Sequence, residues 1–117
     1  MNYSDMVKTL AKDGNEILKK LKPSDCHNLH MCMGAAGEIG EAVDLVKKSI
    51  FYRKPIDRDA LVKELGDIEF YLEGIRQGFN ITREEVIEGN MKKLGARYEG
   101  FNYSDQAAVD RVDVNGQ

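Results

Sequence analysis

Glu38 and Glu41 stand three residues apart in "GEIGEAVDLVKK", and Glu64 and Asp67 repeat that spacing in "KELGDIEFYL". On a helix, residues three apart share a face with Cβ atoms about 5–6 Å apart, so each pair sets two carboxylates side by side. At about 100° per residue, Glu38 and Glu41 group with His30, Gly34 and Leu45 rather than with Lys47 or Lys48. Glu64 and Asp67 group with Ala60, Tyr71 and Ile75. One such pair alone is an ordinary solvated face, but two pairs that each border an apolar stripe are expected to be half-buried. Four crowded carboxylates then raise one another's pKa by desolvation and repulsion unless a cation compensates. Oxygen-only ligands suit a hard ion, Mg²⁺ first and Mn²⁺ as its substitute. A di-iron carboxylate bundle would ask for Glu-x-x-His, whereas His27 and His30 precede the acids at other offsets.

A second constellation supplies positive charge. Asn90, Lys93 and Arg97 fall on one helical stripe beside the apolar Ile87, Met91, Leu94 and Tyr98, the arrangement a phosphate chain requires next to a metal. "IFYRK" at 50–54 combines aromatics with charge between the two acidic segments, so Lys54 and its neighbours suit a base or sugar. His30 beside Glu41, and Tyr71 beside Asp67, complete the candidate substrate contacts.

These side chains need helices to hold them, and the apolar spacing supplies four. The first is expected over 5–21 from a Ser4 cap, closed by Pro23. The second starts at a Ser24 or Asp25 cap and runs to about 48, with Leu29, Cys32, Ala36, Ile39, Val43 and Val46 as its stripe. Asp57 caps the third, which ends at Gly78, and a Thr82–Glu85 capping box opens the fourth, which stops near 99–100. No strand or long repeat is apparent. The expectation is an all-α four-helix bundle in one domain, 1–103, followed by a tail, 104–117, with a short turn after Ser104 and a frayed end.

Composition narrows the function classes. The 117 residues suffice for one core, and 42% hydrophobic with 32% charged residues describes a globular chain. A net charge of −3 argues against nucleic-acid or acidic-membrane partners. No apolar run approaches the roughly 20 residues of a membrane span, and the first ten residues lack a signal-peptide pattern, so a cytoplasmic protein is expected. Cys26 and Cys32 are expected to be reduced, buried, small apolar residues.

Around the acids, "HMCMGAAGEIGEAVD", "ELGDIEFYLEGI" and "NMKKLGARYEGF", followed by "SDQAAVDR", resemble in order the segments of the MazG-like, all-α nucleoside triphosphate pyrophosphohydrolases. The resemblance spans about 29–111, and that family's E-x-x-E and E-x-x-D pairs match Glu38, Glu41, Glu64 and Asp67, with 22 residues between. Glu99 stands where a proline is frequent in the family.

The resemblance implies that the four acids bind Mg²⁺ and that Asn90, Lys93 and Arg97 contact phosphates. It implies hydrolysis of a nucleoside triphosphate to monophosphate and pyrophosphate by water attack at the α-phosphorus, with Glu38 as the candidate base and Glu41 beside it, and with no covalent intermediate. It also implies a homodimer or homotetramer. The alternative is a non-catalytic helical nucleotide-binding or dimerisation module, which the presence of all four acids disfavours.

Overall fold

The computed structural model of the chain describes residues 1–111, so the frayed end expected beyond them lies outside the described residues. Among the described residues every regular element is helical: α1 Tyr3–Leu10, α2 Gly14–Lys20, α3 Pro23–Phe51, α4 Arg58–Gly78, α5 Arg83–Arg97 and α6 Asp105–Asp110, with a 3₁₀ turn at Glu99–Phe101. Two compact units divide the chain, Met1–Leu72 and the part from Glu73 onward.

The expected first helix is two helices. Asn2, not Ser4, caps α1, accepting from the Asp5 amide at 2.8 Å, and α1 stops where Ala11 turns extended. Asp13 then caps α2, its carboxylate accepting from the Asn15 amide at 3.0 Å. An aspartate that can bond nearby backbone donors, followed by a glycine that gains nothing from the helix, makes a break cheaper than continuation. "KDGN" carried that signal and the apolar spacing masked it. Every residue of α1 and α2 is exposed.

Pro23 ends one element and starts the next, because its missing N–H costs nothing at the first position of α3. The cap is Lys22 rather than Ser24 or Asp25, and Asp25 reaches back to accept from the Lys22 amide at 2.9 Å. α3 continues three residues beyond the expected 48, so Ile50 and Phe51 are helical. Arg53 in the left-handed region (φ 52°) then reverses the chain, and Ser49 Oγ donates to the Lys54 carbonyl at 2.6 Å. Asp57 opens α4 as expected, accepting from the Ala60 amide at 3.0 Å. Met31 and Ala35 of α3 are the buried apolar residues of the first unit.

In the second unit the Thr82–Glu85 capping box opens α5, with Thr82 accepting from the Glu85 amide at 3.1 Å. The 3₁₀ turn around Glu99 places Gly100 at φ 60°, and the Phe101 ring lies against Gly95. The short turn expected after Ser104 is α6, capped by the Ser104 hydroxyl accepting from the Ala107 amide at 3.1 Å. Cys26 and Cys32 are free thiols as expected, yet both are exposed. Cys32 follows Met31 by one position, which turns it away from the side that Met31 and Ala35 bury. Among the described residues no helix is long and apolar enough to cross a membrane.

Candidate metal and substrate site

Close approach of α3 and α4 depends on Gly34. A Cβ at that position would overlap the ring of Tyr71, so only hydrogen there lets the ring lie on the helix backbone. His30, one turn earlier on α3, meets the same ring edge-on at 6.2 Å between centroids, and Phe70 meets it at 5.2 Å. Glu38 follows Gly34 by four residues and Asp67 precedes Tyr71 by four, so the acids lie one turn along each helix from this contact.

There the structure brings Glu38, Glu41 and Glu64 together, with one carboxylate oxygen of each within 4.8 Å of the others. Glu38 and Glu64 are half-buried, while Glu41 and Asp67 are exposed, so the expectation of four half-buried acids holds for two. α4 turns Glu64 toward α3 and leaves Asp67 at the edge, outside this trio but near enough to repel Glu38. Oε2 of Glu38 and Oε2 of Glu64 are both enclosed with no hydrogen-bond partner.

Electrostatics follow from that crowding. The Glu38 carboxyl is pushed up to about 7, first by its hydrogen bond with Glu64, then by partial enclosure, then by repulsion from Glu41 and Asp67, with a weaker hydrogen bond to Glu41 adding to these. Without a cation, Glu38 therefore keeps its proton up to the neutral range. Oxygens bound to one Mg²⁺ at about 2.1 Å lie at most about 4.2 Å apart, so a trio already within 4.8 Å needs little contraction to hold such an ion. Two enclosed oxygens without donors are what a hard divalent cation would satisfy.

The acids open onto a cavity of about 440 Å³ that Glu41, Glu64, Leu45, Ala60, Asp44 and Lys48 line. Leu45 and Ala60 are where the helical projection put them. Lys48 is not: expected on another face, it lines the cavity and pairs with Asp44 at 2.8 Å. Its long stem carries the ammonium around the helix, and the Asp44 carboxylate one turn earlier holds it. That hydrogen bond lowers the Asp44 pKa and raises that of Lys48. The i, i+4 spacing of Asp44 and Lys48, beginning three residues after Glu41, was the signal that could have found them.

Lys54 is exposed, on the lining of a second cavity of about 320 Å³. Asn90, Lys93 and Arg97 belong to α5 in the second unit. Asn90 and Lys93 are exposed, and Arg97 is half-buried, lining a cavity with Glu99, Asn102, Ser104 and Asp110.

The MazG nucleotide pyrophosphohydrolase domain matches residues 27–101. The chain is also 30% identical over 81 residues to the Gene 37 protein of Mycobacterium phage L5, covering 62% of this chain and 71% of that protein. No solved structure matches it.

Proposed function

The chain belongs to the MazG nucleotide pyrophosphohydrolase family, and from that premise we propose that it is a Mg²⁺-dependent hydrolase that converts a nucleoside triphosphate to the monophosphate and pyrophosphate. The observation that carries this reading is the trio of carboxylates with its two unpartnered enclosed oxygens. Glu38, Glu41, Glu64 and Asp67 would hold Mg²⁺, for which Mn²⁺ would substitute. The ion would supply neutralisation of the charge that develops on the phosphate oxygens.

This chain's own residues do the rest. Glu38 is the residue that takes the proton from the attacking water, with Glu41 beside it. The water attacks the α-phosphorus in line, the bond to the bridging oxygen breaks, and pyrophosphate leaves with the electron pair. Asn90, Lys93 and Arg97 bind the departing phosphates, and His30, Tyr71 and Lys54 contact the substrate. A panel of nucleoside triphosphates with Mg²⁺ tests the reading: pyrophosphate should appear one-for-one with monophosphate. Orthophosphate released instead, without added pyrophosphatase, would show cleavage at another bond.

A homodimer or homotetramer completes the proposal, with no nucleic-acid or membrane partner. Its support is the exposed apolar surface of the first unit, where Ile39, Val43, Val46, Ile50, Leu61 and Leu65 form a groove of about 450 Å³, with Ile50 66% exposed. A second copy seated on this α3–α4 groove would make the four-helix arrangement expected for such chains. Light scattering at micromolar concentration should give at least twice the 13.2 kDa of the chain. A monomer mass there would rule the assembly out.

A further inference from the structure

The acid cavity has a neighbour of whose walls the reaction has used Lys54 alone. Leu45 and Lys48 line both the acid cavity and the cavity of about 320 Å³ at the turn between α3 and α4. The remaining apolar walls of the second cavity are Tyr52, Pro55 and Ile56. Tyr52 is 65% exposed, a large flat ring standing in solvent at the end of α3.

We infer that this cavity is the nucleoside subsite, with the base stacked on Tyr52 against Pro55 and Ile56. The inference rests on the reaction assigned above. Hydrolysis at the α-phosphorus places the nucleoside on one side of the reacting atom and pyrophosphate on the other. The nucleoside must therefore leave the acid cavity through an adjoining space with apolar, flat walls.

The turn that carries Tyr52 is built to keep its shape. The Ser49 hydroxyl donates to the Lys54 carbonyl at 2.6 Å, and the Lys54 amide donates to the Ser49 carbonyl at 3.0 Å. Two bonds between the same residues close the loop around Arg53, so little ordering remains to be done when a ligand binds. Lys48, on the wall common to both cavities, is placed to meet the oxygens at the junction of sugar and phosphate. Stacking on a single aromatic ring tolerates every base, so this subsite selects a nucleoside over bare phosphate without choosing among bases.

The chain contains no tryptophan, which makes Tyr52→Trp a lone reporter that keeps an aromatic face. With Mg²⁺ present, its emission should shift on adding nucleoside monophosphate and stay constant on adding inorganic pyrophosphate. Tyr52→Ala should weaken monophosphate binding, measured by calorimetry, about tenfold, while pyrophosphate affinity stays at the wild-type value. Tyr52→Phe should restore the monophosphate affinity. Emission indifferent to monophosphate, or equal loss of both ligands in Tyr52→Ala, would overturn the subsite while wild-type release of pyrophosphate kept the assigned reaction intact. A wild type that releases no pyrophosphate would overturn the reaction and the subsite with it.

Discussion

Glu64→Gln is expected to lower turnover about 100-fold or more while leaving the metal-free protein at least as stable as wild type. The substitution keeps the side-chain volume and deletes one anionic ligand from the trio whose oxygens lie within 4.8 Å. In the metal-free protein that loss is no injury. Glu64 Oε2 is enclosed without a partner, and the new amide can donate to the Glu38 carboxylate where a second carboxylate could only repel it or share its proton. Thermal melts in EDTA and in excess Mg²⁺ separate the two consequences. At 100 times its dissociation constant, Mg²⁺ should stabilise the wild type by about 2.7 kcal/mol, which corresponds to about 10 °C in this size range. Glu64→Gln should gain little. If the wild type gains nothing from Mg²⁺, and the variant melts several degrees lower in EDTA yet stays active, the acids serve the fold and the hydrolase reading is wrong.

The pH dependence of metal-free stability should disappear when metal saturates the site. The Glu38 carboxyl lies at about 7 in the folded chain against an ordinary 4.5, so the folded state keeps a proton that the unfolded state releases. Its contribution to metal-free stability is therefore complete below about 4.5 and is lost as pH rises through about 7. Melting temperature in EDTA should fall over that window. Mg²⁺ must displace the same proton, so its affinity should weaken about tenfold for each unit of pH below 7 and level off above it. Calorimetry in buffers of different ionisation enthalpy should find close to one proton released per ion near pH 6. Glu64→Gln removes the largest cause of the shift, and both dependences should shrink in it. Mg²⁺ affinity that is flat from pH 5 to 8 would show that the ion displaces no proton from Glu38 in that range.

Much of the positioning was legible in residue order because it is local. The Asp57 cap, the Thr82–Glu85 box and the Ser104 cap are contacts between residues three apart, and each forms where its residue types demand. The side-by-side acids are likewise a property of one helix. The same locality misled where two signals competed: a continuous apolar spacing concealed the Asp13–Gly14 break, because periodicity reports which side is buried and not whether the backbone stays hydrogen-bonded.

The sequence by itself determined that the chain is helical, where its carboxylates pair, and to which family it belongs. Those follow from spacing along single helices and from order along the chain. Tertiary structure decided which acids meet. Periodicity fixes each side chain's angle about its own helix axis, but the approach of α3 to α4 is set by a hydrogen at Gly34 under the Tyr71 ring, and that approach brings Glu64 to Glu38 and Glu41 while Asp67 stays at the edge. It also decided the place of Lys48, since a four-carbon stem held by Asp44 reaches beyond the face its Cα occupies. Side-chain reach and interhelical distance are properties of two elements together, and no single stretch of residues encodes them.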